Sequence, residues 1–177
     1  MKVLADNNLS ILMNEVRHGN KDAFGKLYQD IKVPVYTIIW RIVRNISVAE
    51  EIMQELFLKI YVSPPDENVK NIRAWIFSIA HNLAIDYLRK HKSDSTGEVL
   101  ESNMETADII AERRVDINSA VNRLTVPESE IITLHTLCGF SFKEISVITK
   151  KSIPSVYRLY RKAIKKLHKS LNGGYEK

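Results

Sequence analysis

Apolar residues recur at helical spacing along most of the chain, and no stretch keeps the strict alternation of a half-buried strand. Residues 8–30 carry Leu9, Leu12, Met13 and Val16, then Phe24, Leu27 and Tyr28, with His18-Gly19-Asn20 as a candidate break. Pro34 is expected at the front of a second helix, where its missing amide donor costs little, and that helix should reach about Arg44 with Asn45 at its end. Ser47 and Glu50 have the spacing of a capping box for a third helix, Ala49 to Tyr61, which stops before Ser63-Pro64-Pro65. A polar loop, Pro64 to Lys70, then leads into RAWIFSIAHNLAIDYLRKHK, Arg73 to Lys92, a run without glycine or proline. Its periodic set is Trp75, Ile76, Ile79, Ala80, Leu83 and Tyr87, spanning roughly 140° of the helix, and Phe77, Ala84 and Leu88 widen it. So wide an arc needs neighbours on two sides, which makes this the central helix of a bundle.

From about His91 to Glu105 the periodicity lapses into polar, acidic sequence, and helix is expected again near Ala107. Thr125-Val-Pro-Glu128 and Ser141-Phe-Lys-Glu144 each read as a capping box. The first opens a helix ending at Gly139, the second a short helix through Ile148. Lys150 and Lys151 form a turn, and Ser152 with Pro154 begins a last helix running to about Leu171. The expected fold class is all-α: a helical domain at 8–92, a flexible linker at 93–112 and a second helical domain at 113–172.

Composition changes little in this picture, and charge changes more. The chain has 177 residues, 45% of them hydrophobic, enough apolar material for a packed core. Its single cysteine, Cys138, excludes a disulfide framework. No apolar run approaches the ~18 residues of a membrane span, and MKVLADNNLS lacks the apolar centre of a signal peptide, so the expected location is the cytoplasm, without membrane insertion. Residues 1–92 hold 13 basic against 10 acidic residues, 93–115 hold 2 against 6, and 116–177 hold 11 against 5. Two basic lobes with an acidic connector suit a chain that meets a polyanion at two places.

Three stretches carry candidate chemistry. Ser141 to Leu171 has the outline of a helix-turn-helix. In its second helix Val156, Tyr160, Ala163 and Leu167 should face inward, leaving Ser155, Tyr157, Arg158, Arg161, Lys162 and Lys165 outward. Lys150 to Ser170 contains eight Lys or Arg and no acid, which fits a helix laid against phosphates better than a solvated mixed-charge surface. In the third helix, Ala49, Ile52, Met53, Leu56, Phe57 and Ile60 make the buried side, while Glu50, Glu51, Gln54 and Glu55 ring Leu58 on the other. That face is either an interface anchor with a polar rim or one of the many surfaces with a scattered exposed leucine. On the central helix Asn82, Asp86 and Arg89 share an edge that ends in Arg89, Lys90, His91 and Lys92; Asp86 either pairs locally with Arg89 or Lys90, or the edge grips a polyanion. The five histidines make no ligand-spaced pair and no glycine-rich phosphate loop occurs, so no catalytic residue, metal site, cofactor or small-molecule substrate is expected.

The blocks AEEIMQELFLKIY (Ala49–Tyr61), RAWIFSIAHNLAIDYLRKHK and VNRLTVPESEIITLHTLCGFSFKEISVITKKSIPSVYRLYRKAIKKL (Val121–Leu167) occur here in the order in which the extracytoplasmic-function (ECF) group of bacterial sigma factors carries similar blocks. The resemblance covers nearly the whole chain apart from linker and tails. It implies a non-enzymatic promoter-specificity factor with three partners: core RNA polymerase, promoter DNA and an anti-sigma factor. It also implies residue roles. Glu51, Gln54, Glu55 and Leu58 would dock on the polymerase clamp; Asn82, Arg89, Lys90 and Lys92 would lie near the downstream (−10) element; the loop Pro64–Lys70 would hold an unstacked base. The outward set of the last helix would read the upstream (−35) element. Two departures stand out: the family often has glycine where this chain has Lys150 and an apolar residue where it has Lys151, so a differently shaped turn is expected. The competing reading is a stand-alone helix-turn-helix regulator whose N-terminal bundle senses a ligand or protein; the Glu51/Gln54/Glu55/Leu58 face discriminates against it.

Overall fold

The computed structural model describes residues 6–91 and 119–172, with side chains described at 8–91 and 119–170. These residues are helices and short connections, with no strand among them, and the chain divides into two compact units. The expected linker, 93–112, and the helix expected near Ala107 lie outside the described residues.

The first unit contains α1 (Asp6–Arg17), α2 (Lys21–Val43), α3 (Ile46–Val62) and α4 (Ile72–Lys90). The break after α1 lies where expected: Gly19 takes φ +81°, and the Asn20 side chain caps α2 by accepting from the amides of Asp22 and Ala23. Pro34, however, does not start a helix. It sits inside α2, which runs through it without interruption. The ring removes one donor, that for the Asp30 carbonyl, but Leu27, Ile31, Val35, Ile38 and Ile42 form one buried stripe across it, and that packing outweighs a single lost bond. The Ser47 capping box is likewise not formed. Arg44 adopts a left-handed conformation (φ 56°) to end α2, and Asn45 caps α3 by accepting from the Val48 amide at 3.1 Å. With only two residues between the helices, Ser47 is already inside the first turn of α3.

Helix α4 packs against each of the other three helices, as a central helix should, and α2 does the same. Its capping residue is Asn71, whose side chain accepts from the Ala74 amide at 2.7 Å. The buried stripe of α4 is rotated from the expected one: Ile72, Ala74, Ile76, Phe77, Ala80, His81 and Ala84 are buried, whereas Trp75, Ile79, Leu83 and Tyr87 are only partly covered. An apolar arc this broad has no unique centre in the sequence. The small residues Ala74, Ala80 and Ala84 set the choice, because they let neighbouring helices approach α4 most closely.

The second unit begins with a helical stretch at 119–122, followed by α5 (Val126–Ile132), α6 (Phe142–Thr149) and α7 (Ile153–Asn172). Both capping boxes form: the Thr125 amide donates to Glu128 Oε2 at 3.0 Å, and the Ser141 amide to Glu144 Oε2 at 2.8 Å. The helix opened by Thr125 widens into a π-helical turn, Thr133–Leu137, before Gly139 ends it at φ +70°. There the Cys138 amide reaches back five residues to the Thr133 carbonyl at 3.0 Å, and Cys138 itself is a buried, small apolar filler. A core of Val121, Leu124, Ile132 and Ala163 joins α5 to α7, with Tyr160 and Leu167 against it. The turn between α6 and α7 is not reshaped to avoid strain: Lys150 adopts φ 54°, the conformation glycine would take. Ser146 supports it, its carbonyl accepting from the Lys151 amide and its hydroxyl donating to the Lys151 carbonyl at 2.6 Å. These bonds hold a left-handed lysine whose intrinsic cost is about 1 kcal/mol.

Candidate protein and nucleic-acid interfaces

The outer face of α3 is built by the same periodicity that builds the core. With Ala49, Ile52, Leu56 and Ile60 turned inward, Glu51, Gln54, Glu55 and Leu58 fall within a stripe about 100° wide on the other side, and all four are exposed. Leu58 is 63% exposed. Two residues that the sequence pattern did not assign to this face extend it: Tyr61 and Val62, in the last turn, are also exposed. Beside Leu58 lies a groove of about 370 Å³ between α2 and α3, lined by Phe24, Tyr28, Met53, Gln54, Phe57 and Tyr61. The ring of Phe24 meets the rings of Phe57 and Tyr61 edge-on, which fixes the groove wall. Met53, expected in the core, is only half buried and forms part of that wall. The Glu55–Lys59 pair at 3.7 Å is exposed on both sides and contributes little. The face is thus apolar at its centre, acidic on its rim and backed by rigid aromatic packing.

On α4, Asn82 is half buried, and Arg89 and Lys90 are exposed in the last turn. Arg89 Nη1 donates to Asp86 Oδ1 at 3.2 Å, so the local pair that the sequence left open is formed. Both partners are more than half exposed, and a phosphate could replace the carboxylate at small cost. Lys92 lies outside the described residues. Trp75 and Ile79 share the Asn82 and Asp86 side of the helix by their spacing, and the rotation of α4 leaves that side partly open, placing a partly exposed indole where the sequence pattern had put core. Its signal was present in the one-turn spacing Trp75–Ile79–Asn82–Asp86, masked by the breadth of the apolar arc.

On α7, Val156 and Ala163 are fully buried and Tyr160 and Leu167 partly so, which is the inward set expected. Tyr157, Arg158, Arg161, Lys162 and Lys165 are exposed; Ser155 is half covered, its amide donating to the Ser152 hydroxyl at 3.4 Å. The Arg161 guanidinium lies 5.9 Å from the Tyr157 ring centre, and that ring meets Phe142 edge-on at 5.7 Å. The stack gives Arg161 an orientation that a free surface arginine lacks. Lys162 differs from its neighbours. It turns toward α5, where its ammonium lies 3.7 Å from Glu128, and Lys166 donates to the same carboxylate at 2.7 Å. The stripe left outward is therefore Arg158, Arg161 and Lys165.

Glu128 is fully buried and ties the capping box of α5 to α7. Burial alone would push its carboxyl up; the hydrogen bonds from Lys166 and from Thr125 outweigh it and hold the group below the ordinary glutamate value. A carboxylate with a depressed folded pKa stabilises the fold above its unfolded value and ceases to do so as pH falls through the folded one. The second unit is therefore expected to lose stability on acidification below the ordinary glutamate pKa of about 4.5. Glu128→Gln should flatten that acid limb and cost about 1–2 kcal/mol at neutral pH, since both lysines keep partial solvent contact. Thermal melts from pH 3 to 7 on parent and variant check both points.

One helical unit thus presents an acidic face with an exposed apolar centre, and the other a basic helix-turn-helix, surfaces that suit a protein partner and DNA respectively. The comparisons with known proteins agree. Sigma-70 region 2 matches residues 27–93, and sigma-70 region 4 matches residues 114–167. The ECF RNA polymerase sigma factor SigK of Mycobacterium ulcerans is 24% identical over 93% of this chain and 94% of its own length. The ECF sigma factor SigM of Bacillus subtilis is 25% identical over 81% of this chain and 93% of its own. BldN of Streptomyces coelicolor is 28% identical over 90% of this chain, which spans 64% of BldN. Among solved structures, CnrH in complex with the cytosolic domain of CnrY shares the fold at a TM-score of 0.67, with 22% identity, over 94% of this chain and 98% of that one. The sigma factor RpoE of Bartonella quintana, solved with the anti-sigma factor NepR, gives 0.69 and 22% over 86% of this chain and 99% of that one. The chain belongs to the sigma-70 family of RNA polymerase sigma factors, in its ECF group. It is a factor that binds core RNA polymerase and directs promoter-specific initiation of transcription; a stand-alone regulator is not favoured.

Proposed function

We propose that the chain divides this work by residue as follows. Residues 8–92 engage core polymerase through Glu51, Gln54, Glu55 and Leu58, and the downstream element through Asn82, Arg89, Lys90, Lys92 and the loop Pro64–Lys70. Residues 113–172 engage the upstream element through α7, with Arg158 and Arg161 nearest the bases and Lys165 on the backbone; residues 93–112 are the linker. Of the other outward candidates, Ser155 and Tyr157 lie beside the bases, and Lys162 contributes less because Glu128 holds it. An anti-sigma factor covers the α3 face, the chain works in the cytoplasm, and it makes and breaks no covalent bond itself. No helix among the described residues is long and apolar enough to cross a membrane. The observation that carries the reading is the α3 face: an exposed leucine within an acidic rim, on a protein of net charge +5, suits a protein partner and not DNA.

The test is a footprint on pooled genomic promoter fragments with and without purified core polymerase. Protection that requires core is expected. Equal protection by the chain alone would support the independent regulator instead.

A further inference from the structure

The connection between α3 and α4 is short, exposed at its centre and tied at four points. At its start the Ser63 amide donates to the Lys59 carbonyl at 2.9 Å, and Pro64 and Pro65 fix two successive φ angles, with Pro65 buried. At its end Asn71 caps α4. In between, the Val69 amide donates to the Asp66 carbonyl at 3.1 Å and closes a turn. The fourth tie comes from another helix. Arg17, in the last turn of α1, donates from Nε to the Pro65 carbonyl at 2.6 Å and from Nη2 to the Asp66 carbonyl at 2.9 Å. Asp66, Glu67, Asn68 and Lys70 remain exposed. The loop is thus a fixed frame with a free tip.

A cation in the last turn of α1 would serve the helix dipole in almost any rotamer. Two aimed bonds to successive carbonyls 48 and 49 residues away do not follow from that need. They use the planar fork of arginine, which a lysine cannot reproduce. We propose that Arg17 is a positioning residue for promoter melting: it holds the Pro65–Asp66 backbone so that the loop tip meets an extruded base of the downstream element already in its binding shape. The inference rests on the reading of Pro64–Lys70 as the base-holding loop. Unstacking a base is unfavourable in itself, and a loop that had to order as it captured the base would add its own entropic cost to that step. Pre-ordering removes the second cost for the matched base, so it acts on discrimination as well as on rate.

The experiment is run-off transcription by holoenzyme reconstituted from core polymerase and the full chain. Templates are a matched promoter and a set with each downstream-element position substituted in turn. Arg17→Ala should lower transcription from the matched promoter about tenfold while changing the substituted ones little, so that discrimination falls about tenfold. Arg17→Lys should recover part of it, through one carbonyl. Co-elution with core polymerase and the thermal melt report folding independently of the promoter. An equal loss on every template, or no loss on any, overturns the proposal. The double variant Glu67→Ala/Asn68→Ala separates the two ideas. If it flattens discrimination and Arg17→Ala does not, the loop reads the base and Arg17 does not position it. If the tip variant leaves discrimination intact, the loop assignment falls and the role of Arg17 with it.

Discussion

Leu58→Ala combined with Glu55→Lys is expected to abolish co-purification of the chain with core polymerase while leaving its helix content unchanged. Leu58 stands at the centre of the α3 face with 63% of its surface open, so in the free protein its truncation leaves no cavity. Alanine is also a strong helix former, and the position lies within a 17-residue helix. Glu55→Lys removes only a weak pair with Lys59 and introduces a like-charge neighbour, a change of a few tenths of a kcal/mol in the free helix. In a complex the balance reverses. An apolar anchor seated in a partner typically contributes about 2–4 kcal/mol, and a reversed rim charge adds repulsion. A loss of roughly 30- to 1000-fold in affinity follows, and with it the complex should no longer survive the dilution and washing of a co-purification. Undiminished binding by the folded double variant would remove α3 as the docking surface.

The second large effect is expected on α7, where neighbouring cations should behave differently. Arg158→Ala, near the start of the helix, should cost about 1–3 kcal/mol on the cognate promoter and relax preference at one position, as loss of a bidentate arginine–guanine contact does. Lys165→Ala, two turns further on, should weaken binding to all sequences alike and lower the salt slope by about one unit. Lys162→Ala should change that slope less than Lys165→Ala, because its ammonium already faces Glu128 at 3.7 Å. The measurement is holoenzyme affinity for promoter and unrelated DNA between 50 and 200 mM salt. Equal behaviour of all three variants and the parent would refute the assignment of this helix to promoter contact.

Much of this was legible in the residues, and what was not has identifiable causes. The inward stripe of α7 and both capping boxes of the second unit follow from local spacing alone, since a hydroxyl or carboxylate three residues away satisfies the same amides wherever the helix packs. Pro34 misled because local propensity favours a helix start there, whereas the buried stripe of α2 continues on both sides of it. Asn45 displaced Ser47 because the αL residue Arg44 let two helices join across two residues, and nothing local marks an arginine for that conformation. The rotation of α4 was hidden by an apolar arc too broad to have one centre, and it moved Trp75 from the expected core to the partly exposed side that carries Asn82 and Asp86. The π-helical turn at Thr133–Leu137 and the clasp of Arg17 on the Pro65–Asp66 backbone depend on contacts between distant segments. The outer face of α3 was visible as an acidic ring around Leu58, but the aromatic groove beside it needed α2 and α3 in register.

The central claim is that this chain gives core RNA polymerase a promoter specificity the core lacks. Run-off transcription by purified core polymerase on a genomic fragment library, with and without the chain, tests it most directly. Discrete new start sites are expected that appear only with the chain, share an upstream and a downstream sequence element, and disappear with the Leu58→Ala/Glu55→Lys variant. Start sites identical in the presence and absence of the folded chain would contradict it.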